Sequence, residues 1–165
     1  MKRNNMCLLV QVAAMTFMSY SCITQSANTE LEDAKKAIRA SNEIYFQAFS
    51  KGDSSIFIDR YAEDCWIMPP NTPSLCGVNA PLDFFKIAYN KFGLRDGKFI
   101  TIDVFGDGRG FVTEVGSWQS FNADHKMFDH GKFLVLWKKT SKGWKMFRDS
   151  FSSDLDKTDN KVTKI

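Results

Sequence analysis

The hydrophobic period changes once along this chain, near Gly97, and that change limits what it can fold into. Before it, apolar residues recur every three or four positions. Leu31, Ala34, Ile38, Ser41, Tyr45 and Ala48 mark one buried face of a helix over residues 28–52. Thr29 and Glu32 make a capping-box pattern at its start, and Gly52 supplies a stop. Asp53 is placed to cap a second, short helix through Ile56, Phe57 and Tyr61. Cys65 to Met68 reads as a short strand ended by Pro69-Pro70. A third helix starts at Asn79 or Ala80 with Pro81 in its first turn, buries Leu82, Phe85 and Phe92 with Ala88 or Tyr89, and closes at Gly93. After Gly97 the period falls to two. Strands are expected at Phe99 to Phe105, Phe111 to Phe121, Phe128 or Lys132 to Lys138, and Trp144 to Phe151, joined by turns rich in Gly, Asp, Asn and Ser. Helices followed by an antiparallel meander give an α+β fold.

The N-terminus reads as an address. Lys2 and Arg3 precede a 13-residue apolar run, Met6 to Met18, broken only by Gln11 and Thr16. That run is shorter than a membrane span and has the parts of a secretory signal. Ser19-Tyr20-Ser21-Cys22 resembles a relaxed bacterial lipobox, with Ser19 where Leu is usual. The expected organisation is a lipoprotein-type signal over 1–21, a linker over 22–28, the α+β domain over 29–153 and a polar tail over 154–165. Cys22 would carry the lipid, and the protein would sit in the periplasm of the bacterial cell envelope. The alternative is ordinary cleavage near Ser26 or Ala27 and a secreted soluble protein.

Of the four cysteines, Cys7 leaves with the signal and Cys22 is the lipidation candidate, so Cys65 and Cys76 remain. Three prolines and Asn71 lie between them and read as a turn. In a hairpin the two cysteines would face each other across its open end, so a Cys65–Cys76 disulfide is expected, against two buried free thiols. Lys plus Arg number 22 against 19 acids, and removal of Lys2 and Arg3 brings the balance close to neutral. That argues against a nucleic-acid partner, which selects a basic stripe. The two histidines show no ligand spacing for zinc, and no phosphate loop or Gly-x-Ser-x-Gly elbow is present. Aromatic residues make up 14% of the chain, 15 of them Phe, so an aromatic-lined cavity is plausible.

Several local patterns then fall in a characteristic order: Ser50-Lys51-Gly52-Asp53, Met68-Pro69-Pro70-Asn71 with Gly77, Glu114-Val115-Gly116-Ser117-Trp118, Gly131-Lys132-Phe133, Trp137-Lys138-Lys139, Gly143-Trp144-Lys145 and Asp149. Over residues 31–153 the ordered set resembles the SnoaL-like, uncharacterised branch of the nuclear-transport-factor-2-like superfamily. The resemblance implies a cone-shaped barrel: a curved antiparallel sheet wrapped on three N-terminal helices, with a cavity at the wide end. It also implies a homodimer through the outer sheet face. It implies a pocket more firmly than a reaction, because the superfamily holds isomerases, cyclases and dehydratases beside non-catalytic binding domains.

The enzymes of that superfamily use a pocket carboxylate, and Asp149 is the first candidate. It stands between Phe147 and Phe151 at positions expected to share its strand face, in a cavity, paired with Lys132, or exposed to solvent. Glu114 is second, in a pocket or on an exposed or dimer-forming face. Which face it shares depends on two hairpin registers. Tyr45, Trp66, Met68, Trp118, His130 and Lys132 complete the candidate pocket, each with a core-packing or solvated alternative. The lysines 138, 139, 142 and 145 cluster at one hairpin tip. The functional expectation is a cell-envelope domain that binds a small apolar or aromatic ligand. It would be a cofactor-independent isomerase, cyclase or dehydratase, with no metal and membrane contact only through its lipid. The alternative is a non-catalytic dimerisation or docking module with a plugged pocket.

Overall fold

The computed structural model describes residues 29–155. The expected signal and the lipidation site Cys22 lie outside the described residues, as does the tail beyond 155. Helix α1 is already formed at residue 29 and runs to 45. Phe46 interrupts it, and α2 continues over Gln47–Lys51. Gly52 takes a left-handed conformation at φ 65°, which lets the Asp53 N–H close back on the Ala48 carbonyl at 2.8 Å. Asp53 caps α3 (Ser54–Ile58) by accepting from the Ser55 N–H at 2.9 Å. Tyr61, expected to end that helix, instead begins strand β1 (Tyr61–Met68). A proline-rich loop leads to the two-residue β2 (Leu75–Cys76), then α4 (Ala80–Lys86). Residues 87–91 widen into a π-helical turn, in which the Phe92 N–H reaches the Ile87 carbonyl at 3.2 Å.

The remaining strands are β3 (Asp96–Gly106), β4 (Phe111–Phe121), β5 (Met127–Thr140) and β6 (Gly143–Phe151). They form a meander, as their alternation requires. The six-stranded sheet has the order β2-β1-β6-β5-β4-β3. It is mixed rather than antiparallel throughout, because β1 lies parallel to β6. β1 joins the sheet from the helical half of the chain, and the long connection through α4 permits a parallel neighbour. The α+β class is as expected.

Three bulges curve the sheet. In β3 the register shifts between Thr101 and Asp103; in β5 it shifts against Ser120 and Phe121; in β6 it shifts opposite Leu136 and Trp137. The helices pack on the inner face of this curve. Phe49 stacks on Phe85 with ring centroids 4.9 Å apart, and Phe57 meets Tyr45 edge-on at 4.9 Å. Much of the phenylalanine content therefore joins helix to helix, and the rest faces the space beneath the sheet.

Candidate functional site

One row of residues across the sheet fixes the site. Val104, Glu114, Val135, Asp149 and Ile67 stand opposite one another on β3, β4, β5, β6 and β1. All five are buried on the helix-facing side. Glu114 and Asp149 therefore share a face, two strands or about 10 Å apart. Their neighbours give them different chemistry.

Glu114 is closed off. Its Oε1 accepts from Asn42 Nδ2 at 2.7 Å and from Thr101 Oγ1 at 2.6 Å, and its Oε2 accepts from Trp137 Nε1 at 3.0 Å. Burial pushes its pKa up, while those three donors pull the other way. It does not line the main cavity. Its place is a fixed polar node between α1, β3 and β5.

Asp149 is open to a ligand. Tyr61 donates its hydroxyl to Asp149 Oδ2 at 2.6 Å, and the Tyr45 hydroxyl lies 3.4 Å from that of Tyr61. Burial pushes the Asp149 carboxyl up to about 6; the Tyr61 hydrogen bond opposes the rise, and the negative charge of Glu114 adds to it. Burial, and then the charge of Asp149, hold both tyrosines well above their ordinary pKa. They therefore remain hydroxyl donors at neutral pH. The carboxyl lines a cavity of about 750 Å³, within the range of small-molecule sites. Tyr45, Phe99, Trp118, Phe133 and Phe151 form its aromatic walls, and Pro69 to Pro73 with the π-helical turn frame its mouth. Trp118 is locked in place by its Nε1, which donates to the Ser152 carbonyl at 3.1 Å. Among the described residues no cluster of three or more His, Cys, Asp or Glu could hold a metal ion.

Of the expected pocket residues, Asp149, Tyr45 and Trp118 line the cavity; Trp66, Met68, His130 and Lys132 do not. Cys65 and Ile67 are the β1 residues that turn inward, so Trp66 between them faces out, 44% exposed and 5.3 Å from the Arg148 guanidinium. Met68 is displaced by the same parity. His130 and Lys132 fall one residue out of phase with the inward-facing Asp129, Gly131 and Phe133. Lys132 does not pair with Asp149; its Nζ holds Asp154 at 2.6 and 2.7 Å. Phe147 does not share the face of Asp149, because the β6 bulge turns it outward onto Phe111 and the Lys138 ammonium. Phe151 does share it.

The expected disulfide is not formed: Cys65 and Cys76 are free thiols. The hairpin register sets Cys76 opposite Trp66, so the two sulfurs sit on opposite faces. Cys65 is buried, and burial pushes its thiol up to about 11. The lysine cluster at the β5–β6 turn is largely neutralised, since Lys138 pairs with Asp64, Lys142 with Glu63, and the buried Lys145 with Asp59.

Sequence reasoning missed Tyr61, which it placed on a helix, and Asn42 and Thr101, which hold Glu114. The inward alternation of Cys65 and Ile67 was the available signal for Tyr61, obscured by the register shift between Tyr61 and Trp66.

A sheet curled over helices around a cavity is the nuclear-transport-factor-2-like fold. Solved structures bear this out. An NTF-2 like protein of unknown function from Shewanella oneidensis matches at TM-score 0.60 and 19% identity, over 72% of this chain and 98% of its own. A ketosteroid isomerase-like protein from Erwinia carotovora atroseptica matches at 0.58 and 20%, over 73% and 96%. LinA matches at 0.60 and 11%, over 78% and 91%. At these identities the likeness is one of fold. No family model matches the chain, and no curated protein does.

Proposed function

We propose that this protein binds a small apolar or aromatic molecule in the cavity and moves a proton on it, with Asp149 as the acid–base group. The observation that carries this reading is the Asp149 carboxyl, pushed up to about 6, at the base of an open aromatic cavity of about 750 Å³. A general base is most effective when its pKa lies near the working pH. Tyr45, which lines the cavity, supplies a hydroxyl beside it for a ligand oxygen, while Tyr61 steadies the carboxyl through the hydrogen bond it donates. The cavity's own residues suffice for abstraction of a proton, the step shared by isomerases and eliminating lyases, and for its return, which isomerisation adds. One fold neighbour is named ketosteroid isomerase-like, in line with that step. The plugged-pocket alternative fits less well, because the aromatic side chains line the space without filling it.

We assign the chain to the SnoaL-like branch of its fold on the ordered motifs of the sequence. The cell-envelope location and lipidation at Cys22 rest on the leader pattern; loss of the protein from the membrane fraction in Cys22→Ser tests them. The homodimer rests on the outer face of the sheet, where Ile100, Ile102, Phe105 and Leu134 are exposed.

The test of the reaction is a β,γ-unsaturated aryl ketone, 1-(biphenyl-4-yl)but-3-en-1-one. A base removes a proton from the carbon beside the carbonyl and returns it to the terminal alkene carbon, giving the conjugated isomer. Asp149→Asn should lower the rate at least about 100-fold. Equal rates for the two proteins would refute the role of Asp149.

A further inference from the structure

The cavity has a second polar end. On the inner face of β4, Trp118 is followed two residues later by Ser120, which is only 6% exposed and lines the cavity. Its hydroxyl has no hydrogen-bond partner among the described residues. The residue is buried but its oxygen opens on the cavity, and a hydroxyl that no protein group satisfies there marks a place where a ligand can supply the partner. Directly opposite, on β5, stands Asp129, which lines the same cavity. Its Oδ1 accepts the Ser153 hydroxyl and the His130 backbone N–H, each at 2.7 Å, and Ser153 lines the cavity as well. Among the described residues Asp129 Oδ2 accepts nothing.

Asp149 and Asp129 stand at opposite ends of this space. Asp149 faces Val135, and Asp129 lies six positions back along β5 from Val135, about 20 Å of extended strand before curvature shortens it. Between them the walls are aromatic. Taking the cavity as a ligand site, as proposed above, we infer that its ligand is elongated and carries a hydrogen-bond donor, such as a hydroxyl, at the end remote from Asp149. Asp129 accepts from that donor and the Ser120 hydroxyl donates to its oxygen, while the apolar body lies between Trp118, Phe133 and Phe151. A hydroxyl there donates to the open Asp129 Oδ2 and accepts from the idle Ser120 hydroxyl. An alkyl group of the same size leaves both unpaired, and that difference sets the selectivity.

Two isosteric probes test this: 4-acetyl-4′-(3-hydroxypropyl)biphenyl and 4-acetyl-4′-butylbiphenyl. Their dissociation constants are measured on the wild type, Ser120→Ala and Asp129→Ala. The wild type should favour the hydroxypropyl compound, and each substitution should shift the ratio toward the butyl compound by about tenfold. Ser120→Ala removes a hydroxyl that no protein group uses, so its thermal midpoint should not fall. Its altered ratio therefore reports the ligand contact rather than damage to the fold. An unchanged ratio with both compounds still bound overturns the role of Ser120 and Asp129 and leaves the cavity reading standing. Failure of the wild type to bind either compound overturns both.

Discussion

The two buried carboxylates differ by their neighbours, and each carries its own prediction. Asp149 has one donor among the described residues and a pKa of about 6, against about 4 for an ordinary aspartate. The folded protein therefore holds this proton more tightly than the unfolded chain does. The associated stability is full below about pH 4 and is lost as pH rises through about 6, amounting to about 3 kcal/mol for a two-unit shift. Asp149→Asn should accordingly be more stable than wild type at pH 8 by thermal denaturation, with the gain vanishing near pH 4, although its turnover is gone. The wild-type rate should rise with pH and level off above about 6, since the base form does the work. Removing Glu114 has the opposite effect on stability. Glu114→Ala strands the amide of Asn42, the hydroxyl of Thr101 and the indole N–H of Trp137, and leaves a void. Chemical denaturation should show a loss of about 3–5 kcal/mol. At this scale the sequence singled out both acids, because a charge among apolar strand neighbours is anomalous. It did not tell them apart. What separates them is the set of donors on α1, β1, β3 and β5, residues far away along the chain.

At the scale of elements, periodicity and turn residues were legible: the helical first half, Gly52 as a stop, Asp53 as a cap and the β4 boundaries all follow from local chemistry. Register was not. Each of the three bulges inserts one residue and inverts the side chains beyond it. That is why Phe147 leaves the face of Asp149. In β1, which strand neighbour turned inward was a matter of parity alone, and Trp66 and Met68 fell on the outer side. Two glycines mark where the sheet closes most tightly. A Cβ on Gly131 would lie 1.8 Å from the Ser152 carbonyl oxygen, the same oxygen that anchors Trp118. A Cβ on Gly116 would lie 2.4 Å from the Ile100 carbonyl and 2.6 Å from the Phe133 ring. Gly131→Ala should push the end of β6 away from β5, lower stability by about 1–3 kcal/mol, and release Trp118. Near-ultraviolet circular dichroism of the tryptophans checks the last effect.

For the whole molecule, helix and sheet layers leave one aromatic space between them, and its base carries the carboxyl whose charge is most strongly disfavoured by burial. Composition hinted at such a space through its phenylalanines, but only the three-dimensional arrangement divides them between packing and cavity wall. The outer sheet face makes a separate prediction. Leu134 is 49% exposed and Ile102 76% exposed there, so on the proposed homodimer Leu134→Glu with Ile102→Glu should give a monomer by sedimentation analysis, and an unchanged mass would refute the proposed interface. The most direct test of the central claim is a carbon-13 NMR titration of the Asp149 side-chain carboxyl, assigned by its absence in Asp149→Asn. It is recorded with and without 4-acetyl-4′-(3-hydroxypropyl)biphenyl. A midpoint near 6 that moves further upward when the ligand displaces water from the cavity is the predicted result. A midpoint near 4 that the ligand leaves unmoved would mean a solvated carboxylate outside any ligand site, and would contradict the account.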